Sequence, residues 1–194
     1  MSTPRRWIAA LAILALAACS HQPPYALHDI SGLLPPLQFQ LTDDNGRPVT
    51  AQSYRGDIVL LYFGYTNCPD VCPTTLAMLA QALRGLGQQA SKVRVLFVSV
   101  DPHRDSAALM KRYVGYFGPQ FVGLRGPDSE LIPLTRRYRV AFHRDAPDQY
   151  GNYAVEHSSA VFIFDRRGRV RLLASSSDGA AAVTTDLRRL VASS

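Results

Sequence analysis

Cysteine is scarce in this chain: three in 194 residues, Cys19, Cys68 and Cys72, too few for a disulfide-stapled scaffold. Lysine is nearly absent, Lys92 and Lys111 being the two, so the formal charge of +6 comes almost wholly from arginine. Arg5 and Arg6 stand ahead of an apolar leader; without them the excess is +4 and scattered, which reads as a solvated basic surface and not as a nucleic-acid-binding stripe. Charged residues make up only 19% against 47% apolar, a balance that excludes a disordered chain and a coiled coil. A single apolar run is long enough to meet a membrane, and it lies at the N-terminus, which excludes a polytopic membrane protein. No internal repeat or low-complexity block interrupts the rest. The length suits one domain with a sizeable core.

What is present begins with that run. Arg5-Arg6 followed by the uncharged stretch Trp7 to Ala18 has the form of a secretory signal, too short to span a bilayer as a mature helix. Leu16-Ala17-Ala18-Cys19 resembles the lipobox of bacterial lipoproteins, in which cleavage precedes a cysteine that is then lipidated. The alternative is an ordinary signal whose small residues satisfy a peptidase. The lipoprotein form predicts a signal over residues 1–18, a lipid anchor at Cys19, a polar proline-containing tether to residue 36, and a folded domain over 37–194. The mature protein is then held on the periplasmic side of a bacterial membrane without a spanning helix. With Cys19 assigned to lipid, Cys68 and Cys72 remain, in a compartment where thiols oxidise. Their loop is too small for a disulfide to stabilise a fold much, so a chemical role leads.

Alternation in Leu37–Leu41 predicts a strand, and Asn45-Gly46 a hairpin turn. Residues 58–64 are continuously apolar, as strands covered on both faces are, 93–100 read as a second buried strand, and 74–87 between them carries Leu76, Leu79, Ala80 and Leu83 on one helical face. That order makes a parallel crossover. Further along come a helix capped by Asp105 or Ser106 and running to about Phe117, a strand at 121–124, and a helix from Ser129 to Tyr138 that Pro133 could interrupt. Segments 140–144 and 150–155 could pair, Val161–Phe164 and Val170–Leu173 form a hairpin, and Gly179–Val191 closes the chain as a helix. The plan is α/β: a thioredoxin-like three-layer fold with an added N-terminal β-hairpin and a mid-chain insertion.

The chemistry concentrates in Gly64-Tyr-Thr-Asn-Cys68-Pro-Asp-Val-Cys72-Pro73, where a buried strand gives way to a helix. Pro73 disfavours helical geometry at Cys72 yet fits a first helical turn, so both sulfurs belong to a loop or opening turn. There the positive end of the helix would favour thiolates. A thiolate pair can exchange electrons with other thiols, bind a soft metal, or close a disulfide. Two residues separate the cysteines of thioredoxin-type enzymes; here there are three, Pro69, Asp70 and Val71, which allow a disulfide and also let both sulfurs point at one ion. Two thiolates with room for a third ligand suit Cu(I), whereas structural zinc wants four protein ligands. Candidate third ligands are His21 and His28 in the tether, His103 and His143 in polar loops, and His157, just before the strand at 160–164. In a thioredoxin-like sheet that last loop lies beside the active helix, where oxidoreductases usually place a cis-proline; residues 154–160 contain no proline. A structural role for His157, a turn role for Asp70, and an Asp-Pro turn with a helix cap for Asp101–Asp105 are the plain alternatives. The arginines at 136, 137, 139, 166, 167, 169 and 171 read as solvated faces or as a docking surface for an acidic partner.

Residues 63–73, together with Ser99-Val-Asp101-Pro-His-Arg-Asp105 and Glu156-His157-Ser158, resemble the Sco/SenC family of copper-binding assembly proteins across about residues 30 to 192. The resemblance implies a thioredoxin-like domain that binds one copper, as Cu(I) or Cu(II), through Cys68, Cys72 and His157. It further implies delivery of copper to the copper-accepting subunit of cytochrome c oxidase, or reduction of the thiols at its dinuclear copper centre, with other periplasmic copper or thiol proteins as further partners and no nucleic acid. Glu156 stands where the family more often has Asp, and a lipidated cysteine replaces its more usual transmembrane anchor. A metallochaperone needs no turnover chemistry, so an enzyme is not expected. The competing reading is a thiol–disulfide oxidoreductase or redox sensor in which Cys68 and Cys72 cycle through a disulfide. A peroxiredoxin-like reading has only Thr66, two residues before Cys68, in its favour.

Overall fold

The computed structural model describes residues 24–150 and 153–193; the leader, Cys19 and His21 lie outside them. The fully apolar segment Ile58–Gly64 forms strand β4, buried at every position. Earlier come β1 (His28–Asp29), β2 (Gln40–Asp43) and β3 (Pro48–Thr50). After β4 follow α1 (Val71–Leu86), β5 (Val93–Ser99), α2 (Ala107–Gly115), β6 (Phe121–Arg125) and α3 (Asp128–Arg137). The chain then forms β7 (Phe142–Arg144), β8 (Val155–His157), β9 (Val161–Phe164), β10 (Val170–Ala174) and α4 (Gly179–Ala192). The main sheet runs β1-β10-β9-β4-β5-β6-β2-β3, and β7 pairs with β8 apart from it. Strands β4, β5 and β6 are parallel, while β9 lies antiparallel to β4.

Register fixes the layers. Tyr62 lies opposite Phe97 and Val161, so these share one face, and Leu61 and Phe162 share the other. Tyr113 of α2 stacks on Phe97, and Cys72 of α1 reaches Gly64, two residues along from Tyr62 and hence on the same face. Helix α4 packs on α1: Thr184 donates its hydroxyl to the Ala82 carbonyl at 3.1 Å, and Gly85 leaves it room. On the opposite face Tyr138, just past α3, stacks on Phe162 and Phe164. The result is the thioredoxin-like three-layer arrangement, extended by the β2–β3 hairpin and by the segment around β7 and β8. The hairpin turns at Gly46, whose φ of 77° explains the glycine after Asn45.

Pro133 sits inside α3 without ending it. The proline is in the second turn, where its missing N–H costs a hydrogen bond, and the buried Leu131 and Leu134 on either side hold the helix to the sheet. Ser106, not Asp105, caps α2, accepting from the Leu109 N–H at 3.2 Å. The strand expected from Leu37 begins at Gln40, because the preceding backbone bonds elsewhere: the Leu37 N–H donates to the Gly168 carbonyl at 2.8 Å.

The largest departure from the sequence reading concerns the tether. From Tyr25 onward the chain is docked on the domain. Strand β1 adds to the sheet edge beside β10, Leu27 and Leu37 are buried, and the Leu27 N–H donates to the buried Asp186 at 2.8 Å. Two buried leucines and a partner for a buried carboxylate outweigh the freedom that the prolines suggested.

Candidate metal centre

Strand β4 ends at Gly64, and the chain crosses a short loop into α1. The loop is closed by the Cys68 N–H donating to the Tyr65 carbonyl at 3.2 Å. Cys72 is the second residue of α1, with Pro73 behind it in the first turn, where a missing N–H costs nothing. Both cysteines are buried, Cys68 at the margin with 8% exposure and Cys72 completely. Both are free thiols. The Cys72 N–H points at Cys68 Sγ, 3.4 Å away.

His157 ends β8. Its Nε2 lies 3.2 Å from Cys72 Sγ, while Nδ1 is 3.0 Å from the Ser158 carbonyl. A carbonyl only accepts, so Nδ1 carries the proton and Nε2 turns its lone pair toward the sulfurs. The rings of Tyr62 and Tyr65 hold the imidazole edge-on from two sides, with centroids 6.2 Å and 5.8 Å away. The two sulfurs and the imidazole nitrogen all lie within 4.8 Å of one another, and among the described residues this is the one such gathering of metal-binding side chains. His28, His103 and His143 take no part: the first is on the exposed β1 edge, and the others lie near Asp128 and Asp145 in exposed pairs.

Electrostatics correct one expectation. Burial pushes the Cys72 thiol up to about 12, against hydrogen bonds from its surroundings that pull it down. The helix N-terminus therefore does not make Cys72 a thiolate, because desolvation is the larger effect at a fully enclosed sulfur. Burial likewise lowers His157 below its ordinary 6.5. Near neutral pH the centre thus holds a neutral thiol at Cys72 beside a neutral imidazole. A soft cation would displace the Cys72 proton and meet a thiolate and an unprotonated nitrogen.

Gly64 is a requirement of this packing. A Cβ there would fall 2.7 Å from Cys72 Sγ and 2.6 Å from the Phe97 ring. Gly64→Ala is expected to cost about 1–3 kcal/mol of stability by overpacking and to weaken metal binding by displacing Cys72. Chemical denaturation and a metal titration on the same variant check both effects; an unchanged titration would show that the sulfur yields without consequence.

Sequence reasoning weighs the Asp101–Asp105 loop as facing the site and favours a turn with a helix cap instead. Asp105, completely buried, accepts from the Thr66 N–H at 3.1 Å, from the Thr66 hydroxyl and from the Ser99 hydroxyl. Asp101, also buried, accepts from Arg104 and from the Tyr153 hydroxyl at 2.6 Å. Arg104 stacks on Tyr153, 3.5 Å from the ring centroid, and lies 5.7 Å over Tyr65. The 101–105 loop, for which a turn and a cap seemed sufficient, therefore braces the Cys68 loop from behind. The available signal was the pair of carboxylates six residues or fewer past an apolar strand, which fixed neither one's partner. Asp70 is exposed; its carboxylate accepts from the Thr74 hydroxyl at 3.3 Å and its carbonyl from the Thr74 N–H at 3.1 Å.

The chain has relatives among known proteins. The SCO1/SenC family model matches residues 36–192. The bovine mitochondrial SCO2 homolog is 38% identical over 156 residues, covering 79% of this chain and 59% of its own length. The SCO2-like protein of Rickettsia prowazekii is 36% identical over 134 residues, covering 68% and 64%. The chain thus spans about three fifths of the length of the relatives it matches. Among solved structures, Bradyrhizobium japonicum ScoI with copper bound is 39% identical with a TM-score of 0.73, over 80% of this chain and 98% of that one. Yeast Sco1 with copper bound is 29% identical with a TM-score of 0.76, over 83% and 90%. Apo Sco1 of Thermus thermophilus is 34% identical with a TM-score of 0.76, over 88% and 99%.

Proposed function

The chain belongs to the SCO1/SenC family, and from that premise we propose that it is an extracytoplasmic copper metallochaperone for cytochrome c oxidase. Cys68 Sγ, Cys72 Sγ and His157 Nε2 hold one Cu(I), and an acceptor takes the ion by exchanging these ligands one at a time for its own. The observation that carries the reading is the convergence of two sulfurs and an unprotonated ring nitrogen within 4.8 Å, a soft donor set that suits Cu(I) and lacks the fourth protein ligand of structural zinc. Copper is cargo here. The protein's part is to orient the imidazole through the Ser158 carbonyl, to release the Cys72 proton, and to hold Cys68, the less enclosed of the two sulfurs, at the margin of the core on the side an acceptor thiol approaches. Lipidation at Cys19 places this centre outside the cytoplasm. Among the described residues no helix is long and apolar enough to cross a membrane.

The reduced protein should bind one tight equivalent of Cu(I) against a competing chelator. In cells, deleting the gene should depress oxidase activity under copper limitation, with restoration by the wild type and not by Cys72→Ser. Full oxidase activity in the copper-limited deletion strain would remove the oxidase role while leaving copper binding in place. Mass spectrometry of the mature N-terminus tests the lipid anchor.

A second reading, thiol–disulfide exchange, is favoured by the Cys72 N–H aimed at Cys68 Sγ, a donor that stabilises an attacking or displaced thiolate. In that reaction Cys68 and Cys72 lose two electrons and two protons to form a disulfide, and the partner's disulfide is reduced to two thiols. The two readings are linked, because copper loading requires the reduced pair.

A further inference from the structure

The end of the sheet opposite the sulfurs is strongly cationic. The β9–β10 turn carries Arg166, Arg167 and Arg169, and it lies beside the first residues of β4, since the Gly56 N–H donates to the Arg166 carbonyl at 3.0 Å. Arg55 packs against the same turn, its guanidinium 2.7 Å from where a Gly168 Cβ would stand. Arg166 reaches the last turn of α4, donating to the Val191 carbonyl at 3.0 Å, and α4 brings Arg188 and Arg189 to this end. Of the acids near them, Asp165 is buried in the turn and held by Arg169, the buried Asp186 accepts from the Leu27 N–H, and the partly exposed Asp57 pairs with Arg94 at 3.5 Å. At the sulfur end Asp70 and Glu156 are exposed. Charge therefore separates along the strands: the turn pole is basic, and the sulfur end is mixed, with Asp70 and Glu156 exposed near Arg104 and Arg144.

Where the chain enters this domain gives that separation a direction. Arg189 donates to the Pro24 carbonyl at 2.9 Å and lies 4.1 Å over the Tyr25 ring. Because Pro24 is held by Arg189 and the chain is docked from Tyr25 onward, only residues 20–23 separate Cys19 from the docked chain, and even a fully extended stretch from Cys19 to Pro24 reaches at most roughly 17 Å. An acyl chain on Cys19 brings Arg189 and its neighbours close to the headgroups, within about two screening lengths at physiological salt.

We propose that this arginine pole is a docking surface for an anionic lipid bilayer, so that anchor and arginines together hold the metal centre facing away from the membrane. The inference rests on the lipid-anchored reading of Cys19. Guanidinium groups fit phosphate headgroups in a bidentate manner, and the carboxylates of Asp70 and Glu156, exposed at the sulfur end, are repelled by the same surface. Of the arginines read from the sequence as solvated faces, Arg166, Arg167 and Arg169 share the one turn at this pole.

The test uses the soluble chain from Ser20 onward, which keeps every element described. It is sedimented with vesicles of phosphatidylcholine alone or mixed with phosphatidylglycerol, at low and high salt. At low salt the anionic vesicles should retain at least fivefold more protein, and high salt should abolish the difference. Arg167→Glu with Arg188→Glu should remove it. The same charge change at Lys111 and Arg112 of α2, beside the β2–β3 hairpin at the other edge, should leave most of it. Both double variants should keep the wild-type melting temperature and Cu(I) stoichiometry, which separates lost docking from lost folding. Equal retention on both lipids, or equal loss in the two double variants, overturns the docking surface. An unlipidated Cys19 in the mature protein instead overturns the anchored orientation, even where vesicle binding survives.

Discussion

His157→Ala is expected to lower Cu(I) affinity on the order of 100-fold or more, since replacing even an outer-layer partner of a metal ligand typically costs 10–100-fold. The imidazole supplies the one nitrogen among three converging donors, and its removal leaves two thiols that must find water or a partner protein for the third position. The loss should be specific to copper. His157 is half-buried and touches the Tyr62 and Tyr65 rings at their edges, so truncation should cost about 1 kcal/mol of stability. A chelator-competition titration beside a denaturation curve separates the two. Affinity falling less than threefold would show that Cys68 and Cys72 bind copper without the imidazole and would favour thiol exchange as the main task.

The same experiment has a pH signature. Cys72 is protonated at neutral pH because burial raises it to about 12, so each copper bound displaces its proton and apparent affinity should climb with pH through the neutral range. The apo fold shows the opposite trend at its alkaline side. A thiol raised in the folded state contributes stability that is complete below its ordinary 9.0 and is lost as pH rises from there toward about 12. His157, lowered by burial, contributes stability present above 6.5 and lost as pH falls through its depressed value. Copper-free protein should therefore be most stable between these limits, and copper should flatten the alkaline decline.

Much of this was legible in the sequence for a physical reason. The uninterrupted apolar segment at 58–64 and the largely apolar, Val-rich segment at 93–99 read as buried strands, and Asn45-Gly46 as a hairpin turn. Cys68 and Cys72 stood out because a pair left over after the leader cysteine has little structural work to do. His157 came from fold topology, which places the loop before β9 beside the active helix. What stayed hidden depended on three-dimensional neighbours. Gly64 looked like the end of a strand, and its need to be glycine is visible only against Cys72 and Phe97. The docked segment 25–36 carries prolines and polar residues like a tether, and its attachment rests on the buried Leu27, on the pairing of β1 with β10 and on a carboxylate at position 186. The Cys72 thiol illustrates a competition that sequence alone does not decide: a helix N-terminus favours charge, enclosure opposes it, and enclosure is the larger.

Asp105→Ala is expected to destabilise the protein by about 2–4 kcal/mol and, with it, to loosen the metal centre. Its carboxylate satisfies three donors at once, the Thr66 N–H, the Thr66 hydroxyl and the Ser99 hydroxyl, and each buried donor left without an acceptor costs about 1–3 kcal/mol. The sum is not the full penalty for two reasons. Thr66 is only half-buried, so water can reach it, and desolvation outweighs those hydrogen bonds at Asp105, raising its pKa. Removing a carboxylate that is costly to ionise returns part of the loss. That second effect fixes a sign. A raised carboxyl contributes most below its ordinary 3.8 and less as pH rises through its elevated value, so the gap between wild type and Asp105→Ala should narrow from pH 4 to pH 7. Thr66→Val, which keeps the backbone donor and removes the hydroxyl, should cost about 1 kcal/mol. Because Thr66 lies two residues before Cys68, the alanine variant should also bind Cu(I) about tenfold more weakly, the scale of losing an outer-layer support. Denaturant midpoints at the two pH values and one chelator titration decide the matter: a variant as stable as wild type would mean that the 101–105 loop is a turn and a spacer, and that the Cys68 loop holds its shape unaided.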